Sequence, residues 1–282
     1  MSYLVNPYMV SSAQPNMSDS DLKTYLKFDE ASGNIVNNSL SSESLGTAGQ
    51  LDDFGGGFLY SRSDSNPANF GNACGLGSNT IAWAGANGGS VTSDWTFLHN
   101  VNCQWTINWW MNLQETPSDG DWWIGTGGNQ ASQIGFKLCM NGENSLLLQM
   151  SYGAGTNLWV GRPSSNADII DQSVGWHMIT ARWNQLNDHS DAENSNFYPY
   201  EDGVFKVAQS FGNKSSDDNV DTDPTNALQL GVSPFSVVDL CNAYWCELSI
   251  WDRLLTDEFT GAGAEDNEIW SLWNDGAGLE IY

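Results

Sequence analysis

The stretch WCELSIWDRLLTDEF, residues 245–259, alternates like a strand and then changes character at Arg253. Taken with the preceding residue, the alternation puts Tyr244, Cys246, Leu248 and Ile250 on one face. Trp245, Glu247, Ser249 and Trp251 fall on the other, because successive strand side chains point opposite ways. Past Arg253 the segment is acidic, with Thr256 in an N-cap position and acids in the turn that follows. Arg253 is placed to pair with the acids at 257–258 or to stand as a solvated cation at a strand end. A second helical pattern follows in EDNEIWSLWNDG (265–276). It has Ile269, Leu272 and Trp273 on one side and Gly276 as a C-cap.

The same period of two recurs along the chain in short runs bounded by Gly, Asn, Asp and Ser. In WTINWWMN, Trp105, Ile107, Trp109 and Met111 share a face; in IGFKLCM, Ile134, Phe136, Leu138 and Met140 do. SLLLQMSY gives Leu146, Leu148, Met150 and Tyr152. WHMITARW reads as a strand after Gly175, with Trp176 able to fill a core. DGVFKVAQS reads as a strand after a hairpin turn at Asp202-Gly203. The fold class expected is all-β: a two-sheet antiparallel jelly-roll sandwich with short C-terminal helical segments. Residues 1–20 read as an N-terminal arm and 21–282 as a single domain, since no linker or internal repeat divides them.

Composition narrows the function classes. Against 34 Asp+Glu stand 9 Lys+Arg, a formal charge of −25, which repels phosphate backbones and disfavours nucleic acid as a partner. No apolar run reaches the ~20 residues of a membrane span, so no membrane insertion is expected. The N-terminal MSYLVNPYMVSSAQPN has neither a basic nor a long apolar region, so no signal peptide is expected. Of the five cysteines, Cys103 and Cys246 sit in apolar strand patterns and read as buried thiols.

Six segments in chain order, FDEASG (28–33), TINWWMN (106–112), GWHMITARW (175–183), YEDGVF (200–205), CELSIWDRLLTDEF (246–259) and LWNDGAGLEI (272–281), resemble the concanavalin-A-like, laminin-G-like jelly rolls of the pentraxin-related branch. The resemblance implies two packed antiparallel sheets, often with calcium. It implies that 244–252 is the last long strand, paired near the strand at YLKFDE, and that 256–275 covers an end of the sandwich. It also implies a structural calcium held by Asp29 or Glu30, the carbonyl around Gly33, and Glu247, because Ca²⁺ takes six to eight oxygens. The plainer reading leaves Glu247 on a solvent-facing sheet edge between two exposed Trp. The acidic loops at Asp188, Asp191 and Glu193, and at Asp217, Asp218, Asp221 and Asp223, read as a second cation site or as solvated loops.

No enzyme is expected. Relatives that cleave β-glucans carry Glu-x-Asp-x-x-Glu on one strand, which sets two carboxylates at the separation a retaining mechanism needs. DAEN (191–194) and EDG (201–203) do not make that pattern, and nucleophile-elbow and His-Glu-x-x-His motifs are absent. Sugar binding fits the aromatics better, through DGDWWIGTGGNQ (119–130) and NLWVGRP (157–163). Trp122, Trp123, Trp159 and Asn129 are the candidate ligand residues, with core packing as the alternative for each Trp. Trp122 and Trp123 are neighbours, so on a regular strand they point opposite ways.

The function expected is a non-enzymatic, lectin-like surface protein that decorates a virion or other particle and binds host glycans or neighbouring subunits in a homo-oligomer or larger assembly. The alternatives are a secreted or cell-surface carbohydrate-binding adhesin, and, more distantly, a glycoside-acting enzyme.

Overall fold

The computed structural model describes residues 20–28, 35–37, 39, 48–53, 70, 74–75, 79–82, 92–100, 102–113, 122–127, 133–141, 145–151, 158–162, 175–184, 197–206, 210–211, 222–233, 236–240, 243–257, 267–276, 278–279 and 281. Of the arm expected over 1–20, only Ser20 falls among them. The first nine strands are β1 (Leu22–Leu26), β2 (Ile35–Asn37), β3 (Ala48–Asp53), β4 (Cys74–Gly75), β5 (Asn79–Ala82), β6 (Gln104–Leu113), β7 (Trp122–Gly125), β8 (Gly135–Asn141) and β9 (Ser145–Ser151). The next five are β10 (Leu158–Arg162), β11 (Trp176–Asn184), β12 (Phe197–Glu201), β13 (Val204–Phe205) and β14 (Ser210–Phe211). Last come β15 (Gln229–Leu230), β16 (Val232–Ser233), β17 (Ser236–Leu240) and β18 (Ala243–Trp251), then helix α1 (Glu268–Trp273) and a 3₁₀ turn at Asn274–Gly276.

These strands make an all-β sandwich of two antiparallel sheets. The smaller runs β1-β18-β6-β11-β12-β13, with β4 beside β18; the larger runs β14-β10-β9-β8-β7-β15-β5-β3-β2, with β16 and β17 alongside. The inner faces meet in a core that alternation foretells. Trp105, Ile107, Trp109 and Met111 of β6 pack with Phe136 and Leu138 of β8 and with Leu146, Leu148 and Met150 of β9. Trp109 stacks on Trp245 with ring centroids 5.8 Å apart. Trp95 is also part of this core, and Cys103, Cys139 and Cys246 are buried thiols. As 244–252 was expected to do, β18 pairs with β1, Leu26 opposite Leu248.

Four expectations are corrected. β18 does not alternate throughout: its register with β6 shifts between Cys246 and Ser249, and Glu247 has φ 54°. This bulge puts one extra residue in the strand and swaps its faces. Trp245, Leu248 and Ile250 therefore share the inter-sheet core, while Cys246 and Trp251 lie on the outside of the smaller sheet. Trp176 also lies on that outer side, in step with Met178, rather than in the core. The run 202–210 is not one strand: Val204–Phe205 pairs with β12, whereas Ser210–Phe211 pairs with β10 in the larger sheet.

Finally, the C-terminal segment covers a face and not an end. Leu255, Ile269 and Leu272 pack on Trp110, Met178, Tyr200, Cys246 and Trp251, so the smaller sheet has a second, outer core. Trp273 stacks on Trp110 at 5.2 Å. The helix that seats this layer is short. Asn267 caps it by accepting a hydrogen bond from the Trp270 N–H at 2.8 Å, and Asn274, in the left-handed conformation, ends it in place of Gly276.

Candidate functional site

Two places carry the chemistry that the sequence singles out. The first surrounds Glu247. The bulge turns its backbone left-handed, its side chain is only 5% exposed, and the Tyr25 hydroxyl donates a hydrogen bond to its carboxylate. Tyr25 is held in turn by the Ile281 N–H, which donates to its oxygen at 3.1 Å. The edge position between exposed aromatics is thus corrected: Glu247, Trp245 and Trp251 are all buried. The Glu247 N–H reaches the Lys27 carbonyl at 3.5 Å, which ties the bulge of β18 to the end of β1. Asp29, Glu30 and Gly33 lie outside the described residues. Among the described residues no three His, Cys, Asp or Glu cluster to hold a metal ion. A buried carboxylate needs partners, and its charge, together with burial as the larger cause, pushes the neighbouring Cys246 thiol well above its ordinary range.

Charge pairs nearby are structural. Arg253 makes a two-pronged pair with Glu268, at 2.7 and 2.8 Å, and not with the acids at 257–258. Asp257 instead meets the buried Arg182 at 2.7 Å, and Tyr200 bridges them, accepting from Arg182 and donating to Asp257. Burial lowers the Arg182 pKa from its ordinary value, and Asp257 opposes that shift. The helical turn expected after Thr256 lies, past Asp257, outside the described residues. The Thr256 backbone N–H donates to Glu268 at 2.7 Å and its hydroxyl accepts from the Glu268 N–H at 3.2 Å, the reciprocal pattern of a capping box made across a gap of twelve residues.

The second place is the larger sheet. β7, which bears Trp122 and Trp123, and β10, which bears Trp159, are separated there by β8 and β9. Trp122 is in register with Cys139, and Trp159 with Met150, a core residue. The register of β7 shifts between Trp122 and Ile124, so strict alternation does not govern that pair. Asn129 lies outside the described residues. Beside these strands runs a polar row that sequence reading missed. Gln229 pairs with Gly125, Gly125 with Lys137, and Lys137 with Gln149. Each polar member sits between two core residues of its own strand: Gln229 between Leu228 and Leu230, Lys137 between Phe136 and Leu138, Gln149 between Leu148 and Met150. The row therefore faces away from the core. Polar residues alternating with core residues were visible in the sequence; their alignment into one row was not.

No known family profile matches the chain, and no curated protein matches it. Its fold is similar to several solved structures. One is a Trypanosoma rangeli sialidase in complex with a difluorinated nononic acid, at TM-score 0.53 and 12% identity, over 96% of this chain and 37% of that one. Another is the binding domain of botulinum neurotoxin serotype G, at TM-score 0.53 and 13% identity, over 90% of this chain and 51% of that one. A third is the binding domain of Paraclostridial Mosquitocidal Protein 1, at TM-score 0.51 and 14% identity, over 90% and 52%. The chain thus spans between 37% and 52% of the length of these structures. The likeness is one of fold: a β-sandwich that toxin binding domains also use.

Proposed function

We propose that this chain is a non-enzymatic binding module whose ligand is a glycan and whose setting is an exposed surface, of a virion or other particle, or of a cell. The observation that carries the reading is the larger sheet, whose strand β7 carries the adjacent Trp122 and Trp123 and pairs with the polar residues Lys137 of β8 and Gln229 of β15. Stacking of aromatic rings on sugar C–H faces, with hydrogen bonds from polar neighbours, is the usual chemistry of such a surface. The fold shared with toxin binding domains supports it. Calcium belongs to the same proposal as a structural ion, with Glu247 the described member of a set that includes Asp29, Glu30 and the Gly33 carbonyl.

Glycan-array binding of the purified chain, with calcium and with chelator, tests both parts. Selective, saturable binding is the expected result. Binding in both arms, with a lower melting temperature under chelator, assigns calcium a structural part. No binding in either arm sinks the glycan reading. Release of free sugar during incubation would make the chain an enzyme and overturn the non-enzymatic part. One observation favours contact with neighbouring subunits as a second reading: Trp270 is 43% exposed and Val204 49%, and Gly203, adjacent to Val204, lies against Trp270. Light scattering of the chain beside its Trp270→Ser variant tests that contact.

A further inference from the structure

Trp105, Trp109, Trp183, Trp245 and Trp251 are fully buried, whereas Trp270 is 43% exposed. That exposure is not looseness. The Trp270 N–H donates to the Asn267 cap at 2.8 Å, and the Trp270 carbonyl accepts from the Asn274 N–H. The ring lies against the β12–β13 turn, where a Cβ on Gly203 would stand 2.9 Å from it. Helix and hairpin thus fix a ring that keeps part of its surface in water. Leaving that surface in water forgoes the stabilisation that burial gives.

The surroundings do not make a protein interface. Val204 is the other exposed large hydrophobic residue among the described residues. It pairs with Glu201, which pairs with Ile179 of the inter-sheet core, so its side chain points to that side of the sheet. Helix α1, which carries Trp270, lies on the outer side through Ile269 and Leu272. The two exposed side chains therefore do not merge into the apolar centre that a stable protein contact needs. Polar groups stand near the ring instead. Asn274 follows one turn later and is exposed. Among the described residues its side chain makes one bond, from Nδ2 to the Gly278 carbonyl at 2.8 Å. Half-buried Asp202 precedes Gly203 in the turn.

We propose that Trp270 is a sugar-stacking platform, with the Asn274 amide as the hydrogen-bonding group beside it. The proposal rests on the glycan reading above. It gives that reading a contact on the C-terminal layer, apart from the Trp-bearing strands of the larger sheet. A single rigid ring edged by an amide suits one sugar unit. The C–H face of the sugar lies on the indole, and its hydroxyls exchange hydrogen bonds with an amide that both donates and accepts. A ring fixed before binding loses little freedom on contact. The ligand is thus the terminal unit of an oligosaccharide, since one ring offers room for one sugar.

The test is a titration of the whole chain with a panel of neutral and sialylated oligosaccharides, repeated for Trp270→Ala, Trp270→Tyr, Trp122→Ala and Trp159→Ala. The expected result is that Trp270→Ala binds the best member of the panel about tenfold more weakly. Trp270→Tyr, which keeps an aromatic face, should lose less. In the unaltered chain the Trp270 indole N–H resonance, identified by its absence from the Trp270→Ala spectrum, moves on titration. That measurement keeps the test valid even if a variant folds poorly. Sugar binding that leaves this resonance still, and that falls with Trp122→Ala or Trp159→Ala alone, overturns the platform while the glycan reading stands. An oligomer that Trp270→Ala converts to monomer, with sugar binding intact, assigns the ring to a subunit contact and overturns the proposal. Absence of any sugar binding ends the glycan reading and this proposal with it.

Discussion

The two outer faces of the sandwich both carry polar side chains, and they treat them differently. On the smaller sheet most of the polar system closes, although Arg182 Nε and Trp176 Nε1 are buried without a hydrogen-bond partner. Thr180 donates to Asn108 at 2.6 Å, the Thr106 hydroxyl donates to the Arg253 carbonyl and accepts from the Leu255 N–H, and Arg182, Asp257 and Tyr200 satisfy one another. The C-terminal layer exists to complete that system and to bury Trp110 and Trp251. On the larger sheet the row at Gln229, Gly125, Lys137 and Gln149 ends in two carbonyls without donors. Both faces thus leave a few buried polar atoms without partners; what differs is that those of the smaller sheet lie beside a charged network beneath the C-terminal layer.

The largest expected effect breaks the closed face. Asp257→Ala strips the partner from the buried Arg182 and should destabilise the protein by about 3–5 kcal/mol, read as a shift in the urea midpoint at unchanged slope. Next comes the seat of the C-terminal layer. Gly203 has φ 74°, and a Cβ there would lie 2.9 Å from the Trp270 ring and 3.0 Å from the Trp273 Cβ. Gly203→Ala should therefore cost about 1–2 kcal/mol from backbone strain and loosen the helix further by contact. Near-wild-type thermal melting would show that the hairpin and α1 do not pack as described. Asn267→Ala removes the α1 cap and should cost about 1 kcal/mol. Hydrogen exchange should speed up most at the Trp270 amide.

The smallest effect concerns pH. Burial raises the Asp252 pKa, Lys23 works against the rise and Asp21 adds to it. The folded state therefore holds this proton more tightly than the unfolded chain does. Its contribution to stability is fully present below the unfolded pKa and is lost as pH rises through the folded value. Asp252→Asn should raise the melting temperature slightly at neutral pH, within about 0.5 kcal/mol for so exposed a residue. The gain should vanish in acid; an equal gain at both pH values would exclude the titration as its cause.

Much of this was legible in the chain itself. Alternation alone names the core faces of β6, β8 and β9, and Asp202-Gly203, with φ 54° and 74°, makes the two-residue hairpin its dipeptide announces. The helical pattern around Ile269 and Leu272 also folds as a helix with those residues buried. These readings succeed because side-chain direction and turn conformation are local properties of the backbone. The bulge at Glu247 escaped because an extra residue is tolerated or refused by the partner strands, here β1 and β6, and nothing in CELSI states where the slip occurs.

Arg253 illustrates the same limit. Acids four and five residues away were the natural partners by sequence, yet Glu268 takes the pair because the returning helix brings its carboxylate to both guanidinium nitrogens. Asp257, freed from that role, neutralises Arg182 inside the covered face. The row of Gln229, Gly125, Lys137 and Gln149 draws on four strands spread over more than a hundred residues of chain. Sequence by itself determined which residues alternate inward and where the chain turns, since both depend on neighbours one or two positions away. Only the tertiary structure decided which polar groups meet, because hydrogen-bond register between distant strands sets that pairing.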